Sequence, residues 1–341
     1  MREKTMDQTN TLEIKATAAR LRRLATAGQL NQRALERALR LAGHLPNKAA
    51  WLAFLNTALL VLGAAFTLSG VFFFFAFNWA EMDRYLKFGI VEGALLLCVG
   101  LAFYLKLDRL PGKVSLSAAA LLVGALLAVY GQVYQSGADA YQLFLTWAIL
   151  ITGWVAISAF GPLWLGWLVL LNLAAITYWN QVVDQDSAAL YGLLFILNGG
   201  ALLAWEAANH YGIKWLQQRW LPRLIAPAAF LVLVIPTLQF IFKVGDDPDF
   251  EQLLFVMPPL YLAFTAGVLY FYTKRIRDLF MLTLAALSLI TLITAVVIRL
   301  LDFEGDSAFI FLFLSLLVIG QAAVAVRWLL HISNNWEDQY V

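Results

Sequence analysis

Four polar side chains stand where an otherwise apolar sequence offers them few partners: Glu92, Gln132, Gln135 and Asp139. Glu92 lies about seven residues into a hydrophobic run, where an ionised carboxylate is costly in lipid. Such a group faces a bundle interior, is protonated, or is paired, and those states suit proton coupling or cation binding. Gln132 and Gln135 need hydrogen-bond partners in a medium of low dielectric. Asn78, Trp79, Lys87, Tyr134 and Tyr141 fall at the same chain level, so the nine residues together predict one polar pocket, with Lys87 as a local counter-charge. Plainer roles stay open beside this one. Trp79, Tyr85, Tyr134 and Tyr141 suit an aromatic belt at headgroup level, and Lys87 suits a snorkelling cation. Gln132 and Gln135 suit hydrogen bonding between helices, and Glu92 suits structural pairing.

Soluble-enzyme chemistry finds little support. His44, His210 and His331 lack metal-ligand spacing, and neither a phosphate-binding Gly-Lys-Ser loop nor a Gly-x-Ser-x-Gly elbow occurs. The lone Cys98 forms no intrachain disulfide or thiolate cluster. No metal or cofactor is implied, and an intramembrane enzyme would have only Glu92, Asp139 and tyrosines as catalysts. ATP-driven transport by this chain alone is disfavoured.

The elements that position these residues follow from composition. Hydrophobic residues make up 62% of 341 and charged residues 13%, half the charge of an ordinary soluble domain. A globule of this size cannot hide that much apolar surface, so lipid is the solvent for most of the chain. From Trp51 onward, apolar runs of bilayer-spanning length alternate with short polar breaks. The expected fold class is all-α: a polytopic bundle of ten transmembrane helices at roughly 52–76, 86–105, 114–134, 141–160, 162–180, 188–207, 222–242, 251–272, 278–300 and 307–330. The break at Phe160-Gly161-Pro162 reads either as a tight hairpin or as an interruption within one long segment. Pro236 and the Pro258-Pro259 pair interrupt the seventh and eighth spans, as kinks or as the broken helices on which transporters build sites. Glu206 ends the sixth span and reads as an interfacial residue.

Basic residues orient the bundle. With the N-terminus inside, only Arg84, Lys87, Lys243 and Arg299 of the 24 lysines and arginines fall in outer segments. That bias predicts cytoplasmic N- and C-termini. The acidic residues of the outer loops form a solvated face. Residues 1–50 form a separate basic segment, two short amphipathic helices with a turn near Gly28-Gln29-Leu30-Asn31. Its arginines suit the anionic inner leaflet better than nucleic acid. The expected partners are the lipid bilayer and a second membrane protein.

One run is more specific than the rest: Gly131-Gln132-Val133-Tyr134-Gln135-Ser136-Gly137-Ala138-Asp139. With the Phe77-Asn78-Trp79 end of the first span and the Lys87-Phe88 pair, it resembles a family of bacterial membrane proteins described only as being of unknown function. The resemblance covers residues 20–150 best. It implies an inner-membrane protein, in some cases beside similar membrane proteins, and supplies no substrate or catalytic residue.

Three functional classes remain: transport of a small or lipid-like substrate, a non-catalytic envelope assembly or partner-binding role, and intramembrane catalysis. The span number, Glu92 and the polar cluster rank transport first. The topology is directly testable. Single cysteines at Ser136 and Ser333 in a Cys98→Ser background should label from outside and not label from outside, respectively, when intact cells meet an impermeant thiol reagent. Labelling at Ser333 without labelling at Ser136 overturns the orientation.

Overall fold

The structure, a computed structural model, describes residues 16–46, 48–78, 81–183, 188–242, 255–301 and 307–338. The described residues are helical with short connections, and the chain divides into two compact units, 1–74 and 75–341. The boundary falls inside the third helix.

The first unit opens with α1 (Ala18–Thr26) and α2 (Gln32–Leu41). Thr17 and Asn31 cap them by accepting from the backbone N–H of Arg20 and Ala34, satisfying donors that a helix start leaves unpaired. Gly28 ends α1 at φ 75°, a left-handed geometry natural to glycine. The hairpin buries Leu21 and Leu39, and the His44 Nε2–H donates to the Ala16 carbonyl at 2.8 Å. After it runs α3 (Lys48–Asn78).

The second unit contains α4 (Arg84–Tyr104), α5 (Leu110–Tyr134), α6 (Ala140–Ser158), α7 (Gly161–Tyr178), α8 (Ala188–His210), α9 (Trp220–Phe242), α10 (Met257–Lys274), α11 (Leu279–Leu301) and α12 (Ser307–Asp338). Among the described residues, nine helices are long and apolar enough to cross a bilayer. The chain is a multi-pass helical membrane bundle. The eighth expected span, α10, falls outside those nine: it is 18 residues long, and its prolines, tyrosines and terminal lysine lower its apolar character.

The Phe160-Gly161-Pro162 break is a tight hairpin. Ala159 turns left-handed at φ 44° after α6, and Pro162 sits in the first turn of α7, where its missing N–H costs nothing. Lys113 of α5 donates to the Ala159 carbonyl at 2.9 Å, placing a cation on the C-terminal end of α6. The expected interruption at Pro258-Pro259 and the broken-helix reading of Pro236 are corrected. Pro258 and Pro259 start α10 rather than interrupting it, because proline is pre-organised for the first helical turn. Helix α9 continues through Pro227 and Pro236, and Pro236 is fully buried among its neighbours.

Helices α4 to α7 share one core, around Ala102, Leu116, Ala120, Ala148 and Val155. A second, around Leu233, Tyr261, Met281, Leu282 and Ala285, joins α8 to α11. Polar side chains tie neighbouring helices where no water is available. Asn172 and Asn198 exchange amide hydrogen bonds between α7 and α8, the shorter at 2.6 Å. The Trp147 indole donates to the Ala120 carbonyl at 2.7 Å, and Gly124 lies beneath its ring: a Cβ there would stand 2.5 Å from three ring carbons. Gly124→Ala should therefore destabilise the detergent-solubilised protein by about 1–3 kcal/mol through overpacking. Gly153→Ala, where a Cβ meets nothing within 4 Å, is the control in thermal unfolding. Equal melting temperatures for the two variants would refute the tight α5–α6 contact.

Candidate functional site

The residues singled out from the sequence lie at the far ends of α4 to α6, and within the second unit they remain open. Glu92, Gln132, Gln135 and Asp139 are all exposed, and Lys87 is half-buried. Glu92 has no hydrogen-bond or ion-pair partner among the described residues. Of Asn78 only the helical backbone is described, and Trp79 lies outside the described residues. Aromatic contacts hold this end together. Tyr134 stacks on Tyr130 at 4.8 Å and meets Phe88 at 6.0 Å, joining α5 to α4. Tyr141 turns instead to α7, packing edge-on against Tyr178 at 5.2 Å, while its backbone N–H donates to Gln181 in the π-helical turn Trp179–Val183. Gln135 has a backbone role, ending α5 in a left-handed conformation at φ 45° with its N–H on the Gly131 carbonyl. Asp139 holds the N-cap position of α6 without a side-chain cap bond.

A denser polar site lies at the opposite end, where α8 finishes and α9 begins. The Arg219 guanidinium reaches both oxygens of Glu206, at 3.0 and 2.9 Å, and Asp278 at 3.0 Å. Arg223 makes two bonds to Asp278, at 3.1 and 3.2 Å. The Tyr272 hydroxyl donates to Glu206 at 2.7 Å. Asp278 also caps α11, accepting from the Phe280 N–H at 3.1 Å, and an anion at a helix N-terminus is favoured by the dipole. The carboxylates are the buried members, with side-chain exposures of 13% for Glu206 and 2% for Asp278. Burial drives the Asp278 carboxyl upward, but the bonds and charges of Arg223 and Arg219 outweigh it and hold it below the ordinary aspartate range. Burial likewise lowers Arg219, and Glu206 and Asp278 more than reverse that. The network is a fixed, charge-balanced clamp on four helices.

The clamp closes one end of a groove between α8 and α10, with a volume of about 1000 Å³. Both helices pack on α9 but scarcely on each other, which leaves the space between them. At its other end Phe264 meets Phe195 at 5.2 Å and Phe230 at 5.0 Å. The walls between are apolar, from Leu202, Leu203, Ala263, Gly267, Val268 and Phe271, while Glu206, Asn209, His210, Tyr272 and Arg275 form a polar rim. From Phe264 to Tyr272 the groove runs roughly 12 Å at helical rise, close to the depth of one leaflet, about 15 Å.

Sequence reasoning placed Glu206 at a membrane boundary, counted Arg219 and Arg223 only among the basic residues that orient the bundle, and did not single out Asp278. One signal was present: Glu206 and Asp278 are acids in segments otherwise dominated by basic residues, an arrangement that anticipates pairing.

Residues 22–164 match a family model described as a predicted membrane protein (DUF2157), in keeping with the resemblance drawn from the 131–139 region. The match ends before α8, so it does not reach the clamp or the groove. No curated protein matches the chain. No solved structure matches it.

Removing the charge of Asp278 leaves two guanidinium groups without their shared counter-ion, and such a loss in a buried pair costs about 3–5 kcal/mol. Asp278→Asn should lower thermal stability in detergent by that order at pH 7. Arg223→Gln, whose side chain is 44% exposed, should cost about 1 kcal/mol or less. Since folding depresses the Asp278 pKa, its contribution is complete above about pH 4 and lost as pH falls through the lower folded value. The gap between wild type and Asp278→Asn should close in that acid range. A gap unchanged by acid would exclude the carboxylate as its source.

Proposed function

We propose that the chain is a multi-pass inner-membrane protein, with both termini cytoplasmic, that binds and moves a lipid-like substrate. The observation that carries this reading is the groove between α8 and α10: one leaflet deep, apolar along its length and polar at its rim. An amphiphile has that same division, and binding sites with mostly apolar walls and a few placed polar groups are the common form for small molecules. The clamp fixes the rim while leaving the walls free of charge, so an acyl chain enters without stranding a polar group. Transport is favoured over envelope assembly by the open groove within a multi-pass helical bundle. Glu92 and the 131–139 run mark the opposite membrane face and the expected far end of the path.

Gly267 gives the test its handle, because it lines the groove and a Cβ added there meets nothing within 4 Å. Proteoliposomes carrying a headgroup-labelled lipid analogue in both leaflets should show exchange between leaflets above that of protein-free vesicles. Gly267→Trp should return exchange to the protein-free level without loss of folded protein. Wild-type exchange no faster than in empty vesicles would remove transport of lipid from consideration.

A further inference from the structure

We infer that the groove selects an anionic lipid headgroup, held by Arg275 at the rim. This rests on the reading of the groove as a lipid site and specifies which lipid class it takes.

Basic residues outnumber acidic ones at this end of the bundle. The segments 206–223 and 272–278 contain six basic residues, Lys214, Arg219, Arg223, Lys274, Arg275 and Arg277, against two acids, Glu206 and Asp278. Both acids are consumed by the clamp: Glu206 accepts from Arg219 and Tyr272, and Asp278 from Arg219 and Arg223. Glu206 lines the groove, but both its oxygens accept from the Arg219 Nη1, at 3.0 and 2.9 Å. Arg275 also lines the groove, is exposed, and among the described residues has no side-chain hydrogen bond or ion pair. The rim therefore presents one guanidinium not neutralised by its neighbours, beside Asn209 and His210.

A guanidinium matches a phosphate geometrically, offering two parallel N–H donors to two oxygens. Zwitterionic headgroups also carry a phosphate, but their own cation offsets it. A net-negative headgroup gains the full attraction, about fivefold in affinity for one basic residue at a membrane surface. The apolar walls from Leu202 to Phe271 hold the chain of either lipid equally. Selectivity and retention are thus assigned to separate residues: Arg275 discriminates headgroups, and the walls retain the acyl chain. Arg275 also follows the C-terminus of α10, where a cation complements the helix dipole. That purely structural role predicts a change in stability and none in lipid preference.

The test uses the full-length protein in detergent, exchanged against equimolar phosphatidylglycerol and phosphatidylcholine with identical acyl chains. Bound lipid is counted by native mass spectrometry. Wild type should retain phosphatidylglycerol over phosphatidylcholine about fivefold, and Arg275→Gln should bring the ratio near one while total retention persists. Gly267→Trp should remove retention of both lipids alike, and Ala263→Phe serves if that variant folds poorly. Equal retention of the two lipids by wild type, or an unchanged ratio in Arg275→Gln, overturns the headgroup assignment and leaves the groove standing. Undiminished retention in both wall variants overturns the groove itself.

Discussion

The Arg219 guanidinium is the contact on which the second half of the bundle depends. It stands between a carboxylate from the end of α8 and one from the start of α11, while Tyr272 of α10 and Arg223 of α9 complete the same network. At a membrane boundary none of these charges is stable alone, because leaving a buried carboxylate unpaired costs several kcal/mol. Neutralisation is achieved only when four helix ends meet. Those ends are thereby held in one register. The pairing adds little net stability over a well-packed apolar contact, but it penalises any arrangement that separates the partners.

The groove follows from that constraint together with the order of packing. Helices α8 and α10 flank α9 rather than each other, and only the clamp and the Phe195–Phe264 contact close the distance. Helix α10 is also the least apolar of the long helices, for a visible reason. Met257, Tyr261, Thr265, Val268 and Tyr272 recur at three- or four-residue spacing and are buried, so its polar atoms point inward. The Tyr261 hydroxyl is satisfied by Ser288 at 2.8 Å, and that of Tyr272 by Glu206. Its opposite side, with Ala263, Gly267 and Phe271, is left to line the groove.

The first four helices of the second unit follow different physics. There tryptophans carry the polar contacts, with Trp147 donating to Ala120 and Trp167 to Ala148. Small residues beneath the rings allow close approach, Gly124 most tightly. The family match runs from the N-terminal hairpin through α6 and ends within the first turn of α7. The halves of the chain are thus distinguished both by likeness to known sequences and by how they satisfy polar groups out of water.

Much of the architecture was legible in the residues alone. Apolar run length set most helix bounds to within about four residues, since a bilayer demands a hydrophobic stretch of fixed length and leaves a spanning helix to satisfy its own backbone. Helix α10 starts later and α12 ends later than expected. The turn near Gly28 between two short helices was equally local. What the sequence did not disclose was which polar side chains meet. Glu92 and the 131–139 run stand out in one dimension because each interrupts an apolar pattern, yet their side chains remain exposed on the second unit. Glu206, Arg219, Arg223 and Asp278 look ordinary in one dimension because they sit at or beside the ends of apolar spans. They span 72 positions from first to last, and only the packing of α8 to α11 brings them within hydrogen-bond reach. Hydropathy is a property of a segment and is written in the chain. Charge pairing is a property of neighbours in space, and the tertiary structure alone decides it.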